Sequence, residues 1–585
     1  MEIKILEKAK NWAKNECFDL DSRSEIQKLI EEKNEKELNE RFYKDLEFGT
    51  AGLRSIMGAG INRINKYTVR KATQAMANII KKEKLPLKVC VSYDSRHNSD
   101  FFAKEVCGVL AANGIQAFIY PQLTPVPLLS FAIRFTKASA GIMITASHNP
   151  IEYNGFKAYW SDGAQITPPI DKNIIDEYKE MTDWNKIFHT NFKQGQKNKL
   201  IHFLSSDVTQ AYYESVKKII LNKKLIADKG DKLKVIYTPI HGTGLKPCQD
   251  LAQSLGFRNF LIVEEQAEPN GNFPTVKSPN PEYPEALTLA VELMKKNNAD
   301  IALGTDPDAD RLGVVVNHKG KIHFLNGNQI ATLFVYYILS QKEKLGKLTP
   351  NSLLMKSIVT SDIQQVMADK YNVHLINTLT GFKWMAKVLN EKEKNEEKFD
   401  FLFANEESFG FMGHSDVRDK DGVCAVIQMC EIALFYKEQN KTLIDVLDDI
   451  YRKFGLFYDT VLSLDYHGIE GLEKISSIMN KLRQKELTNG NGESLIQVKD
   501  YQNNICYDVV NKNESKFSFE KSNLLEFTYS NGVKFLVRPS GTEPKIKFYF
   551  MLQFKGENLD ELKILAKEKT EQWQNLIKEF CDKAK

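Results

Sequence analysis

Long apolar runs are missing from these 585 residues: no stretch approaches 18 uninterrupted apolar positions, so nothing reads as a bilayer span. The first residues, MEIKILEKAKNWAKNE, are charged throughout and lack the apolar core of a secretory signal. Cysteine is sparse. Cys17, Cys90, Cys107, Cys248, Cys424, Cys430, Cys506 and Cys581 lie far apart with no CxxC pair. That excludes a disulfide scaffold and suits a reducing cytoplasm, where thiols serve as small buried hydrophobes. Excess charge of one sign is also absent. The 80 Lys and Arg against 76 Asp and Glu leave +4, which makes no case for nucleic acid or a membrane surface as partner. Any basic patch is local and sized for a small anion. There is no GxSxG elbow and no Walker loop, so an acyl-transfer serine and a P-loop are not expected.

What is present is an ordinary globular composition, 42% hydrophobic and 27% charged, long enough for about four domains. Residues 1–45 carry apolar positions at helical spacing and predict a helical lead-in with a solvated face. FGTAGLRSIMGAG (48–60) holds four glycines and predicts a loop. Beyond it, apolar strands alternate with helical stretches: LKVCVSY (87–93), FFAKEVCGVLAANG (101–114), QAFIYP (116–121), then KVIYTPIHG (234–242), CQDLAQSLG (248–256) and FLIVEE (260–265). Such alternation predicts βαβ units, hence α/β domains. Boundaries are expected near 210, 325 and 455, giving a lead-in (1–45) and domains over 46–210, 211–325, 326–455 and 456–585. Two Lys- and Asn-rich stretches, 183–200 and 391–399, read as surface insertions.

Four constellations carry chemistry. In ITASHNPIEYNGFKAYW (144–160), two turn signals bring His148 and Lys157 back toward the hydroxyl of Ser147, as an activated nucleophile requires; the alternative is a serine in a polar loop. In GTDPDADRLG (304–313), Asp306, Asp308 and Asp310 alternate between two apolar strands. They can converge on one hard cation such as magnesium at the end of a sheet, or form a solvated turn. Arg311 and Asn317 stand where a calcium-binding EF-hand loop needs its glycine and closing glutamate, which excludes that loop. In ANEESFGFMG (404–413), Glu406, Glu407 and Ser408 offer acceptors for sugar hydroxyls; paired glutamates favouring a following helix dipole are the alternative. In VRPSGTEPKIKFYF (537–550), Arg538, Ser540, Gly541, Thr542 and Lys545 make an inventory for phosphate, or a plain turn between strands. Arg54 is read as an active-site cation, Asp94 with Arg96 as a structural pair.

A serine nucleophile, a cation triad, a hydroxyl reader and a phosphate cradle are the parts needed to move a phosphoryl group on a phosphosugar. TASHNP, DPDADR, EESFG and RPSGTEPK, in this order, resemble the four active-site loops of the α-D-phosphohexomutase superfamily. FGTAGLR and the charged lead-in resemble its phosphoglucomutase/phosphopentomutase-type branch, as does DPDADR, where many bacterial glucose/mannose enzymes have glycines between the aspartates. The resemblance implies a four-domain fold, three related α/β domains and a smaller C-terminal α+β domain around a central cleft. It implies that Ser147 carries a phosphoryl group and that Mg2+ is held by Asp306, Asp308, Asp310 and an oxygen on Ser147. It further implies that Lys157 is the general acid/base assisted by His148, with Arg54 also catalytic. Arg311, Thr380, Glu406, Ser408 and Lys420 are the implied sugar contacts, and Arg538, Ser540, Gly541, Thr542 and Lys545 the implied phosphate loop.

The implied activity is phosphoryl transfer between carbon 1 and carbon 6 of a hexose phosphate, glucose and mannose phosphates being candidates, with a sugar 1,6-bisphosphate as activator. TLTGFKW has phenylalanine where the glucose-specific branch often has tryptophan, so ribose and deoxyribose phosphates stay open as substrates. So does synthesis of glucose 1,6-bisphosphate. A phosphatase is disfavoured because hydrolysis needs no second phosphate site, and a silent binder because the serine and triad are intact. The expected setting is cytoplasmic, the expected partner a small phosphosugar, the expected assembly a monomer or homodimer.

Overall fold

The structure is a computed structural model that describes residues 3–47, 52–466, 468–485, 487, 489, 490, 492–530, 532–540 and 545–584. It divides into two compact units: 1–330 with 351–353 and 381–442, and 331–350 with 354–380 and 443–585.

In the first unit the lead-in folds as three helices, Ile3–Lys14, Leu20–Glu31 and Glu35–Phe42. Their apolar faces meet around Trp12, Phe18, Ile26, Leu38 and Phe42, with Trp12 stacked on Phe18 at 3.8 Å between ring centroids. The first sheet contains β1 (Leu53–Ile56), β2 (Lys88–Tyr93), β3 (Gln116–Ile119), β4 (Ala140–Ile144), β5 (Tyr153–Trp160) and β6 (Ile201–Phe203) in the order β1-β5-β4-β2-β3-β6. β2, β3, β4 and β6 run parallel, whereas β5 returns antiparallel beside β4. Helices such as Lys66–Lys82 and Ser99–Ala112 cover it, which is why β4 (AGIMI) is apolar and buried along its whole length.

The second sheet repeats this plan. Its strands are β7 (Val235–Thr238), β8 (Phe260–Ile262), β9 (Ile301–Gly304), β10 (Gly313–His318) and β11 (Lys321–Leu325), ordered β11-β10-β9-β7-β8. β7, β8 and β9 are parallel, and β10 returns antiparallel beside β9. The β4–β5 and β9–β10 connections therefore hold the same position in two like sheets. Further along come β12 (Ser352–Ser357), β13 (His374–Thr378), β14 (Asp400–Glu406) and β15 (Gly410–Met412). β14 and β15 form a hairpin that turns at 407–409, again a strand with its antiparallel return.

The second unit carries an antiparallel sheet from Leu456–Asp465 to Lys545–Phe554, with the long helix Leu559–Lys583 after it. Phe527, Phe535, Phe548, Phe550 and Trp573 form its core. This sheet over 456–554 is antiparallel throughout, unlike the first two sheets with their parallel cores.

Two sequence readings are corrected. The 183–200 stretch is no loose insertion: Trp184 packs edge-on to Trp12 and Phe18, and helix Phe192–Lys197 follows. Gly195 permits that helix to dock, since a Cβ there would stand 2.3 Å from Ile201 Cδ1 and 3.3 Å from Ala111 Cβ. In 391–399, the first residues are the last turn of helix Phe382–Lys394, and Glu393 pairs with Arg134 (3.3 Å) and with Arg418. Among the described residues no helix is long and apolar enough to cross a membrane. The eight cysteines are free, six of them buried.

Candidate active site

The β4–β5 connection is wound around one guanidinium. Arg96 donates to the carbonyls of Ser147 (2.6 Å), Pro150 (2.8 Å), Tyr153 (3.1 Å) and Asn149. Asp94 supports it from behind, accepting from Arg96 N, from Ser99 Oγ and, at 2.6 Å, from Thr145 Oγ1. Thr145 Oγ1 in turn accepts from Ser147 N at 2.8 Å. This closes a turn in which Ser147 takes a left-handed φ of 49° and is buried. The expectation of a structural Asp94–Arg96 pair fits this geometry.

Inside the turn, Ser147 Oγ donates to Asp306 Oδ2 at 2.7 Å and lies 3.1 Å from His148 Nδ1. Arg54, on β1 opposite Gly155, holds Asn149 Oδ1 at 3.0 Å. Burial, with the guanidinium charges of Arg311 and Arg54, keeps His148 well below the ordinary histidine range and therefore neutral.

The β9–β10 connection supplies the acidic face. Carboxylate oxygens of Asp306, Asp308 and Asp310 lie within 4.8 Å of one another, all three residues buried. Asp306 Oδ1 accepts from the backbone of Asp310 (3.1 Å) and Arg311 (3.0 Å), which curls the loop onto itself. Lys157, projecting from β5, donates to Asp308 Oδ2 at 2.7 Å and Asp310 Oδ2 at 3.1 Å. Burial works against its charge, but the two carboxylates overcome this and hold the ammonium above its usual value. Asp306 is pushed well up by burial and by its neighbours Asp310 and Asp308. Asp310 goes the other way: burial opposes ionisation, and Lys157, Lys420 and Arg311 outweigh it.

Among the described residues Asp308 Oδ1 and Asp310 Oδ1 are buried oxygens without a hydrogen-bond partner. Three carboxylates around a hydroxyl, two of them with an idle oxygen, fit a hard divalent cation.

The β14–β15 hairpin joins this centre. Leu312 N donates to Phe409 O at 3.1 Å, Arg311 bridges to Gly410, and Arg311 pairs with Glu282. Glu406, at the end of β14, accepts from Gly381 N, while Glu407 and Ser408 lie in the turn. The alternative of glutamates favouring a following helix fails, because the chain continues into β15. Lys420 reaches back to Asp310 Oδ2 at 3.0 Å. Gly422 N donates to Ala309 O at 3.1 Å, and a Cβ on Gly422 would strike Ala309 O and Arg311 O at 2.7 Å.

The first unit thus gathers Arg54 on β1, Lys157 on β5 and Glu406 at the end of β14 with Ser147, His148, Asp306, Asp308, Asp310, Arg311, Ser408 and Lys420 on the connections. Thr380, Arg538, Ser540 and Lys545 belong to the second unit. Arg538 is the penultimate residue of the strand Lys534–Pro539, and Lys545 starts the antiparallel strand paired with it, with Ser540 N donating to Lys545 O at 2.8 Å. Gly541 and Thr542 lie outside the described residues. The Thr380 hydroxyl is buried and, among the described residues, unpaired.

Sequence reasoning missed three members. Asp419 accepts from Tyr159 (2.8 Å) and Gln165 (2.7 Å) beside Lys420; Thr145 ties Ser147 to Asp94; Glu282 balances Arg311. Only Asp419 carried a signal, lying directly before Lys420.

The chain matches all four domains of one family, described as phosphoglucomutase/phosphomannomutase. The α/β/α domains I, II and III match at 45–184, 210–320 and 326–454, and the C-terminal domain at 489–563. The phosphoglucomutase of Staphylococcus saprophyticus is 37% identical over 545 residues, 92% of this chain and 95% of that protein. The phosphoglucomutase of Staphylococcus aureus USA300 is 36% identical over 538 residues, 92% of this chain and 94% of its own length. The open-form crystal structure of pp63/parafusin, a phosphoglucomutase from Paramecium, shares the fold at a TM-score of 0.65 and 20% identity, covering 92% of this chain and 96% of that one. With four domains matched in order over most of its length, the chain belongs to the phosphoglucomutase/phosphomannomutase family.

Proposed function

We propose that the chain moves a phosphoryl group between carbon 1 and carbon 6 of a hexose phosphate, with glucose phosphates as its substrate, through a phosphoserine at residue 147 and a hexose 1,6-bisphosphate. One observation carries this reading: a buried serine in a left-handed turn points its hydroxyl at Asp306, within a triad of carboxylates and beside a neutral histidine. The curated relatives named phosphoglucomutase support glucose as the sugar.

In this reading the bond from phosphorus to Ser147 Oγ breaks as a bond to the sugar hydroxyl oxygen forms, and the intermediate then returns its other phosphoryl group to Ser147. Lys157, kept protonated by Asp308 and Asp310, gives its proton to the sugar oxygen that leaves when the phosphoryl group passes to Ser147, and its amine takes the proton of the sugar hydroxyl that attacks when the group passes from Ser147 to the sugar. His148, uncharged, exchanges a proton with Ser147 Oγ. Arg54 and Arg311 neutralise phosphoryl charge, while Glu406, Ser408, Lys420 and Thr380 hold the sugar. Arg538, Ser540, Gly541, Thr542 and Lys545 hold the phosphate not in transfer. A magnesium ion held by Asp306, Asp308, Asp310 and an oxygen on Ser147 would supply Lewis-acid neutralisation of the equatorial phosphoryl oxygens. Hexose 1,6-bisphosphate is the activator that recharges the serine.

The working division is a lead-in over 1–45 and domains over 46–210, 211–325, 326–455 and 456–585, in a cytoplasmic monomer or homodimer. The test is a coupled assay on glucose, mannose, ribose and deoxyribose 1-phosphates with and without bisphosphate, on the native chain and on Ser147→Ala. Glucose 1-phosphate is expected to be turned over fastest. Ser147→Ala is expected to stay folded without turnover, and mass spectrometry is expected to find phosphate on the 147 peptide of the native chain only. More than a few per cent activity in Ser147→Ala would defeat the mechanism, and a clear preference for a pentose phosphate would defeat the sugar assignment.

A further inference from the structure

The segment that carries Asp419 and Lys420 to the active site is flanked by a second group of side chains. His414, Asp421 and Cys424 are buried, and a ring nitrogen, a carboxylate oxygen and the thiol sulphur lie within 4.8 Å of one another. Their neighbours orient them. Asp421 caps the helix Gly422–Lys437. Its Oδ1 accepts from Cys424 N at 2.8 Å and from the Tyr212 hydroxyl at 2.8 Å, which leaves Oδ2 buried and without a donor.

His414 Nδ1 lies 3.2 Å from Ser215 Oγ, and the Ser215 hydroxyl donates its one proton to Asp416. Ser215 is therefore the acceptor toward His414, so Nδ1 carries a ring proton, and in the neutral ring Nε2 presents a lone pair. Nε2 faces Asp421 Oδ2 at 3.3 Å, and among the described residues neither atom has a hydrogen-bond partner. A neutral ring sets two acceptors face to face in the interior, and the pair is satisfied by a proton that makes His414 an imidazolium beside Asp421 or by a cation between them.

The spacing fits such a cation. Bonds of about 2.0 Å to nitrogen and oxygen in a tetrahedral shell set those atoms roughly 3.3 Å apart. Cys424 Sγ is the third donor. Gly413 leaves room beside it: a Cβ there would stand 2.7 Å from Sγ and 3.5 Å from Gln428 Oε1, another buried oxygen with no partner among the described residues.

We propose that His414 Nε2, Asp421 Oδ2 and Cys424 Sγ form a site for a tetrahedral divalent cation, zinc being the ion this nitrogen, oxygen and sulphur set favours. On binding, the Cys424 thiol releases its proton to solvent, and His414 and Asp421 contribute lone pairs they already hold. Ser215 and Asp416 behind the imidazole supply the outer contact that fixes the tautomer of a ligating histidine. The site is chemically separate from the all-oxygen aspartate triad. Its ion acts as a staple: Asp421 N donates to Phe411 O, Gly422 N to Ala309 O and Arg418 N to Ser130 Oγ, so the clamped segment ties the helix Val126–Thr136, the β9–β10 connection and the β14–β15 hairpin together.

Cobalt titration of the metal-stripped full-length chain tests the proposal. One equivalent is expected to give tetrahedral d–d bands and a thiolate-to-cobalt charge-transfer band, both displaced by zinc. The bands are expected to persist in Asp308→Asn and to vanish in Cys424→Ala and His414→Gln, each checked for folding by circular dichroism. A folded native chain without the thiolate band overturns the site, as does a band that survives both folded variants. X-ray absorption of the native chain with one equivalent of zinc needs no variant: sulphur and imidazole scatterers are expected, and an oxygen-only shell overturns the proposal.

Discussion

At the scale of single residues, the position of Lys157 makes its removal informative. Its ammonium lies between Asp308 and Asp310, and all three side chains are sealed from solvent. Without it, two buried carboxylates lose their neutralising partner, a change that costs about 3–5 kcal/mol. Lys157→Met, which keeps the length of the side chain, is expected to lose that much unfolding free energy in magnesium-free buffer. Millimolar magnesium is expected to recover most of the loss while stabilising the native chain less, because in the variant Asp308 has lost its ammonium partner and Asp310 keeps only Lys420 and Arg311, so the ion supplies the missing charge. Turnover is a separate matter. It is expected to fall about 10²–10⁴-fold and to stay low in magnesium, since the proton-transfer group is gone. Denaturant titrations with and without magnesium read the first effect and the coupled assay the second. A stability loss that magnesium leaves untouched would mean that the triad is not a cation site.

At the scale of elements, two like sheets each offer the connection between a central strand and its antiparallel neighbour, and those connections bear the serine and the aspartates. The serine connection keeps its shape through Arg96, which meets four carbonyl oxygens. Arg96→Met is expected to release residues 145–153, seen as faster amide exchange there than in β7–β9, with loss of serine phosphorylation; unchanged exchange would remove Arg96 from this role. Gly155→Ala tests the same frame from β5. Its Cβ would stand 2.5 Å from Leu53 O and 2.6 Å from Thr145 O, so it is expected to destabilise by about 1–3 kcal/mol and to lower turnover. A variant as stable and active as the native chain would show that β1 and the serine connection need no such contact.

These elements also mark where the sequence was legible. β2, β7 and β9 are nearly unbroken apolar runs closed by turn residues, and the aspartates alternate between β9 and β10, so these strands and the acidic loop could be read directly. Arg96 could not be assigned its carbonyls, because binding the backbone leaves no pattern in side chains. The 183–200 stretch misled because its anchor is one tryptophan and one buried glycine within a polar composition. For Glu406 and Glu407 the sequence left two readings open, because nothing local distinguishes a hairpin turn from the start of a helix.

At the scale of the whole molecule, the two units are expected to answer pH differently, and the second holds the clearest reporter. Burial pushes the Asp459 carboxyl up to about 7, with Asp362 adding to the rise and Ser361, Lys356 and Lys534 opposing it; its Oδ1 has no partner among the described residues. Asp362 in the same cluster goes down to about 2, because Lys356 and Lys534 outweigh its own burial. The two act in separate windows. An unfolded aspartate titrates near about 3.9, so folded Asp459 binds its proton more tightly and its contribution to stability falls as pH rises from about 4 to about 7. Folded Asp362 binds its proton more weakly, and its contribution is lost as pH falls from about 4 toward 2. Asp459→Asn, which keeps the shape and removes the charge, is therefore expected to gain on the native chain by about 2–3 kcal/mol between pH 5 and pH 8. Trp573 is the one tryptophan of this unit and is packed against Tyr529, so fluorotryptophan NMR during denaturant unfolding reads it apart from Trp12, Trp160, Trp184 and Trp384 of the first unit. If the stability difference between native and Asp459→Asn chains is the same at both pH values, Asp459 is already ionised at pH 5 and the buried carboxyl is not what couples this unit to pH.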